Sequence, residues 1–171
     1  MKTKALFIIA VMVLATGLYA QAKIGYVDSK LIIAGMQDAK DAQTNLDNLV
    51  GNWKAEITQM NDSLKLIKDD FEKKKLILTE NVKKQREDEI KALENRISDF
   101  KLGKFGENGE YFQKQNELMK PVQDKMFKAI QDVAKEGDYD FVFDRSSQLM
   151  LLFMNEKYDL TQKVIKKLES M

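Results

Sequence analysis

The chain has 171 residues and a formal net charge of +1, and it contains no histidine, no cysteine and one proline. Without histidine and cysteine it can form no disulfide bond, no thiolate metal site and neither a Ser-His-Asp nor a Cys-His catalytic constellation. The near-neutral charge argues against a general nucleic-acid-binding protein, because phosphate contacts need a concentrated positive surface. We therefore expect a binding protein with no enzymatic activity, no cofactor and no metal.

The amino terminus has the three parts of a secretory signal peptide. The basic segment MKTK precedes an apolar run at residues 5–18, and Ala20-Gln21-Ala22 forms an A-x-A cleavage site. Fourteen residues would extend about 21 Å as a helix, which is short of the roughly 30 Å hydrocarbon core, so export is favoured over a membrane anchor. Cleavage after Ala22 removes two of the 28 basic residues and leaves 26 against 27 acidic ones, a net charge of −1.

A short strand and a long helix are predicted at the start of the exported chain. Residues 23–28 read KIGYVD and end at Asp28, a favourable helix N-cap. Beyond it, apolar residues recur at alternating spacings of four and three over four heptads, which favours a coiled coil over a buried helix of a compact bundle. These residues are Leu46, Val50, Trp53, Ile57, Met60, Leu64, Ile67 and Phe71.

The chain is then predicted to reverse its direction. The heptad register fails after Phe71, and a new helical pattern begins beyond Thr79, which we expect to act as an N-cap. The simplest interpretation is an antiparallel αα-hairpin, in which a helix at about residues 29–78 is followed by a helix that returns to about residue 135.

The returning helix contains residues that disfavour a helix. Gly103, Gly106 and Gly109 lie close together in KLGKFGENGEYF, and Pro121 follows. Inside a helix each glycine costs about 1 kcal/mol relative to alanine, and a proline about 3 kcal/mol. We therefore expect a hinge or irregular segment near residues 103–110 and a kink near Pro121. A phosphate-binding loop is not indicated, because the segment lacks the G-K-[ST] ending and a preceding strand.

The carboxyl-terminal part is predicted to form β-structure and a last helix. A helix ends at Gly137, a typical C′ residue, after which Tyr139–Asp144 and Leu149–Met154 read as two strands of an apolar hairpin. Such a hairpin is too small to be stable alone in water, so it needs the amino-terminal strand and other chains to complete a sheet. A capping-box variant at Asp159–Gln162 opens the terminal helix. The inner face of that helix carries Val164, Ile165 and Leu168.

The predicted tip of the hairpin, near residues 76–82, combines basic and apolar side chains. Six basic residues lie between residues 73 and 86 against one acid, Glu80. Basic residues around exposed apolar ones suit contact with an anionic lipid surface or with acidic partner proteins. The alternative is a solvated tip whose lysines serve solubility. The candidates are Lys73, Lys74, Lys75, Leu76, Ile77, Leu78, Val82, Lys83, Lys84 and Arg86.

The sequence resembles the Skp/OmpH family of periplasmic chaperones in KIGYVDSKLI, LTENVKKQREDEI, LMKPVQDKMFKAIQDVAKEGDYDFVFDRSS and YDLTQKVIKKL. The similarity covers essentially all of residues 23–171 and is most specific in the strand-turn-strand-helix end. The resemblance implies a homotrimer, in which strands from three chains form a central β-body and three helical hairpins enclose a cavity. It also implies that unfolded outer-membrane proteins are held in this cavity without ATP. The best-known members are strongly basic, whereas this exported chain is near neutral, which leaves the tip as the candidate for membrane contact.

The expected fold is therefore α+β and mostly α: a long antiparallel coiled-coil helical hairpin that projects from a small β-body and assembles as a trimer. Residues 1–22 form the signal peptide, residues 23–28 and 137–171 the β-body, and residues 29–136 the arm. The resemblance implies body and trimer contacts at Ile24, Tyr26, Val27, Phe141, Phe143, Leu149, Leu151 and Phe153.

The expected function is that of an ATP-independent periplasmic holdase that binds unfolded outer-membrane proteins and prevents their aggregation. The alternative is a trimeric coiled-coil structural or scaffold protein of the cell envelope. The expected partners are unfolded outer-membrane proteins, other copies of the chain and an anionic membrane surface at the arm tips, with no nucleic acid.

Overall fold

The computed structural model describes residues 22–147 and 152–171. The predicted signal peptide up to residue 21, and Leu149 and Leu151 of the predicted last strand, lie outside the described residues. In chain order the elements are β1 (Ile24–Val27), α1 (Ser29–Gly35), α2 (Gln37–Lys74), α3 (Glu80–Phe105), α4 (Glu110–Glu136), β2 (Phe141–Asp144), a 3₁₀ turn (Glu156–Tyr158) and α5 (Thr161–Glu169). This confirms the prediction of a mostly helical chain with a small sheet.

The chain divides into two compact units. We call residues 33–127 the hairpin unit. The terminal unit comprises the described residues up to Ile32 and those from Lys128 onwards.

The hairpin unit is built on two antiparallel helices, α2 and α3. Lys68 Nζ lies 2.5 Å from Glu94 Oε1, and the ring of Trp53 contacts that of Phe105 with 5.7 Å between centroids, so positions farther along α2 meet positions earlier in α3. All eight predicted seam residues lie in α2 and are buried or half-buried. Burial is most complete at Leu46 and Trp53, and two helices alone leave the rest of the seam partly exposed.

The first predicted helix, at residues 29–78, is interrupted and ends earlier than expected. It is two helices, α1 and α2, because Met36 takes an extended conformation (φ −75°, ψ 131°) with its side chain buried. Gly35 before it is a weak helix former, which makes the interruption easy. Helix α2 ends at Lys74, and a turn precedes α3. Thr79 occupies the N-cap position of α3 with an extended backbone, but its side chain makes no capping hydrogen bond, contrary to the prediction.

Residues 106–109 separate α3 from α4. The Gly106 N–H donates to the Leu102 carbonyl and the Gly109 N–H to the Gly106 carbonyl, both at 2.8 Å. A Cβ on Gly106 would lie 2.5 Å from the Leu102 carbonyl oxygen, and one on Gly109 would lie 2.7 Å from the Lys104 carbonyl oxygen. The tight turn therefore requires glycine at both positions, whereas Gly103 lies inside α3 with open space beside it. Pro121 lies within α4.

The terminal unit contains a two-stranded parallel sheet. Strand β1 pairs with β2 in a register that places Ile24 opposite Phe141 and Val27 opposite Asp144. The other edge of β1 is covered by the segment before α5, because the Leu160 N–H donates to the Tyr26 carbonyl at 2.8 Å. The largest fully buried side chains of the described residues belong to this unit and are those of Ile32, Leu160 and Val164.

The described residues do not form the β-hairpin that was predicted between Tyr139–Asp144 and Leu149–Met154. Strand β2 pairs in parallel with β1, and residues 152–154 are not in a strand. Leu152 and Phe153 are almost fully exposed. Residues 152–154 therefore add no strand to the two-stranded sheet of the described residues.

The carboxyl end of α4 is a Schellman motif, with Asp138 rather than Gly137 at C′. The Tyr139 N–H donates to the Ala134 carbonyl and the Asp138 N–H to the Lys135 carbonyl, and Asp138 has φ 51°. Gly137 is required for a different reason. A Cβ there would lie 2.6 Å from the Tyr139 ring, which packs across the helix end.

Candidate functional site

One face of the two-stranded sheet is apolar and is left largely exposed by the residues that the structure describes. Ile24, Phe141 and Phe143 are between 41% and 57% exposed. A pocket of about 370 Å³ adjoins this face and is also lined by Phe153 and Tyr158. Contiguous exposed aromatic surface of this kind typically marks an interaction site.

The predicted body residues divide into two groups. Ile24, Phe141, Phe143 and Phe153 are exposed, and Leu149 and Leu151 lie outside the described residues. Tyr26 and Val27 are buried in the terminal unit, so these two residues build its core and not its surface.

A polar cluster joins the amino-terminal segment to the end of β2. The Asp144 carboxylate accepts hydrogen bonds from the Ser29 amide at 3.1 Å, from the Ser29 hydroxyl at 2.6 Å and from the Ser146 amide at 2.9 Å. Burial alone would raise the pKa of Asp144, but the hydrogen bonds from Ser29 and Ser146 outweigh it and hold the pKa below its ordinary value. The local sequence does not indicate this contact, because Ser29 lies 115 residues away.

Arg145 extends this cluster to the start of α1. The Arg145 Nε donates to Asp28 Oδ2 at 3.0 Å, and the Arg145 Nη1 lies 3.9 Å from Asp159 Oδ2. Asp28 also caps α1 as predicted, since its carboxylate accepts the Leu31 N–H at 2.9 Å. That hydrogen bond lowers the pKa of Asp28, partial burial opposes it, and Arg145 lowers the pKa further. The cluster therefore ties the start of α1 to the end of β2 and the residues that follow it.

The hairpin tip presents two adjacent apolar side chains to solvent. Leu76 is 91% and Ile77 is 83% exposed, whereas Leu78 is half-buried and Val82 is at the margin of exposure. Both exposed residues lie in the turn between α2 and α3. Their apolar surface is available to a partner.

The basic residues of the tip are largely neutralised by acidic neighbours. Over residues 69–89 the six basic residues stand against seven acidic ones. The ion pairs are Lys74–Asp70, Lys75–Glu72, Lys83–Glu80 and Arg86–Glu89, with distances of 2.5 to 2.7 Å. The positive cluster counted over residues 73–86 is therefore offset once the helices bring these acids alongside, and the exposed apolar pair is the stronger feature of the tip.

Within residues 22–147 and 152–171, no group of three or more acidic side chains is placed to hold a metal ion. Over the same residues, no helix combines the length and the apolar character needed to span a membrane.

Comparisons with known proteins place these features in context. A family model described as outer membrane protein (OmpH-like) matches residues 23–168. An uncharacterized protein of Aquifex aeolicus is 28% identical over 160 residues, which cover 94% of each chain. A crystal structure of a putative outer membrane chaperone (OmpH-like) from Caulobacter crescentus superposes with a TM-score of 0.76 at 16% identity, over 88% of this chain and 86% of that chain. At 16% identity, the similarity to the Caulobacter crescentus structure shows a shared fold.

Proposed function

Because the chain belongs to the OmpH-like family, we propose that it is a periplasmic, ATP-independent holdase chaperone for unfolded outer-membrane proteins. A holdase binds the unfolded state of another protein, lowers its free concentration by mass action and so slows aggregation. The name and fold of the Caulobacter crescentus relative support this role. The predicted signal peptide supports a periplasmic location, with cleavage after Ala22.

The observation that carries the proposal is the apolar surface that the hairpin unit leaves exposed. Its exposed large apolar residues include Leu66, Leu76, Ile77, Leu102, Phe112 and Phe127. Single exposed apolar residues are common on protein surfaces, whereas contiguous apolar surface such as that of Leu76 and Ile77 suits an interaction site. An unfolded barrel protein offers apolar side chains without a fixed geometry, and dispersed contacts of this kind can accommodate it.

The proposed assembly is a homotrimer whose chains meet through the apolar sheet face. Ile24, Phe141 and Phe143 on this face, with Phe153 beside it, would become buried between copies. Burial of about 25 cal/mol for each Å² of apolar surface makes such aromatic side chains effective interface residues. Three hairpins extending from one assembled body would then enclose the cavity in which the client is held.

A light-scattering assay tests the client contact directly. A urea-unfolded outer-membrane barrel protein is diluted into buffer with residues 23–171 of this chain, and its aggregation is followed. We expect suppression by the wild type and weaker suppression by the double variant Leu76→Ser/Ile77→Ser. The matched control is Asn81→Ser, which changes an exposed polar residue of the same tip. Equal suppression by the double variant and the control would remove the tip from the client-binding surface.

The second candidate function is an envelope scaffold that binds one folded partner. It is favoured by the four uninterrupted heptads of α2, which are typical of a rigid spacer. The break between α3 and α4 favours the chaperone, because a spacer has no use for it. Binding of one folded envelope protein, together with no effect on aggregation of the unfolded barrel, would select the scaffold.

A further inference from the structure

One lysine, Lys104, contacts residues of α2, α3 and α4 at the break between α3 and α4. Lys104 is next to the last residue of α3, and its Nζ lies 5.0 Å from the ring centroid of Trp53 in α2 and 5.4 Å from that of Phe100. The same ammonium group is ion-paired with the carboxylate of Glu110, the first residue of α4.

The surroundings of Lys104 strengthen these contacts. An ion pair between two exposed side chains contributes little to stability. Here the Lys104 side chain is only 22% exposed, and the indole of Trp53 beneath it is 6% exposed. Cation–π attraction increases as the charge and the ring are removed from water. Phe105 packs edge-to-face on the same indole, which fixes the ring that Lys104 covers.

The chain between the two helices is itself a defined turn. Only residues 106–109 lie outside the helices, and hydrogen bonds at Gly106 and Gly109 close the turn. Gln113 Nε2 also donates to the Asn108 carbonyl at 3.2 Å, which ties the turn to α4. A four-residue turn with no Cβ at two positions can change its backbone angles readily once its side-chain contacts are lost.

We propose that Lys104 holds the α3–α4 junction in one conformation, because its ammonium group packs over the Trp53 ring and is ion-paired with Glu110. We call this set of contacts the latch. Release of the ammonium group frees the junction, so that the angle between α3 and α4 varies. This inference rests on the proposed function in one respect: a junction that opens lets the hairpin adapt to clients of different size.

Hydrogen exchange of the client-free protein tests the latch by itself. In Lys104→Met, which keeps an unbranched apolar stem but loses the charge, we expect the amides of residues 103–112 to exchange roughly five- to thirty-fold faster. Glu110→Gln should give a smaller increase, and Lys104→Arg, which restores the cation, should exchange like the wild type. The matched control is Lys101→Met, an exposed lysine one turn earlier in α3.

Trp53 provides a second readout, because it is the only tryptophan of the chain. Acrylamide should quench its fluorescence more strongly in Lys104→Met than in Lys101→Met. Unchanged exchange at residues 103–112 in Lys104→Met would overturn the latch. Faster exchange of equal size throughout α2 would also overturn it, since that result would mean general destabilisation.

Client capture separates this inference from the proposed function. If the latch serves clients, Lys104→Met should capture a wider range of barrel sizes than the wild type. An unchanged range together with faster exchange would leave the latch in place and refute its link to clients. Failure of the wild type to capture any client would refute the holdase proposal, while the exchange result would still decide the latch.

Discussion

Asp144 accepts two hydrogen bonds from Ser29, one from its amide at 3.1 Å and one from its hydroxyl at 2.6 Å, across 115 residues of sequence. The contact joins the end of β2 to the start of α1, two segments of the terminal unit that are far apart in sequence. The hairpin unit lies between these two segments in sequence. The Ser29–Asp144 contact and the β1–β2 pairing therefore help to hold the two segments of the terminal unit together.

Acidification should weaken the terminal unit through Asp144 and Asp28. Both groups have pKa values below their ordinary values in the folded state. A carboxylate with a lowered folded pKa contributes stability that is present above its unfolded pKa of about 3.9 and is lost as the pH falls through the folded pKa. We therefore expect the melting temperature, followed by circular dichroism, to fall as the pH is lowered below about 4.

Replacement of Asp144 should remove part of that pH dependence. Asp144→Asn leaves the donors of Ser29 and Ser146 with a neutral and poorer acceptor, which should lower the unfolding free energy at neutral pH by about 1–3 kcal/mol. The matched control is Asp99→Asn at an exposed position of α3. Equal stability of the two variants at neutral pH would mean that the Asp144 cluster does not stabilise the unit.

Alanine at the three clustered glycines should have opposite effects. Gly103→Ala should stabilise α3 by up to about 1 kcal/mol, because the site is helical and open. Gly106→Ala and Gly109→Ala should destabilise the chain, since each Cβ would collide with a backbone oxygen. Urea unfolding followed by Trp53 fluorescence measures all three.

The glycines are also the sequence-predicted hinge, and their substitution tests that role. A hinge requires the tight turn at residues 106–109, so variants there should alter the range of clients captured while Gly103→Ala leaves it unchanged. An unaltered client range in Gly106→Ala and Gly109→Ala would contradict a hinge at this position.

A polar substitution on the sheet face should disrupt the proposed trimer. Phe143→Ser removes an exposed aromatic side chain from β2, and we expect the molar mass from light scattering after size exclusion to shift from trimer towards monomer. Phe112→Ser removes a similarly exposed ring from the hairpin unit and should leave the mass unchanged. A wild-type mass in Phe143→Ser would place the trimer contact elsewhere.

The sequence predicted the long helices because their signal is local. The spacing from Leu46 to Phe71 specifies one face of one helix, and Asp28 precedes its helix directly. The sequence predicted that the amino-terminal strand joins the carboxyl-terminal strands in one sheet, but the local pattern specifies neither the parallel direction nor the register that places Ile24 opposite Phe141.

The details of the helix ends were also beyond the sequence pattern. The sequence indicates Gly137 as the C′ residue, but in the structure Asp138 adopts the left-handed conformation at C′. Gly137 precedes it, and a Cβ there would collide with the Tyr139 ring. Lys104 has no sequence signal either, because its role arises only when α2 places Trp53 beneath it. The tip is basic when counted over residues 73–86 because that window excludes three of the four acids with which its basic residues pair, Asp70, Glu72 and Glu89.

Native mass spectrometry of residues 23–171 tests the central claim most directly. The protein is measured alone and after a urea-unfolded outer-membrane barrel protein is diluted into it, with the same barrel in its folded form as the control. We expect a trimer that captures one unfolded client and ignores the folded one. A trimer that captures neither would contradict the holdase function, and a monomer would contradict the assembly on which the cavity depends.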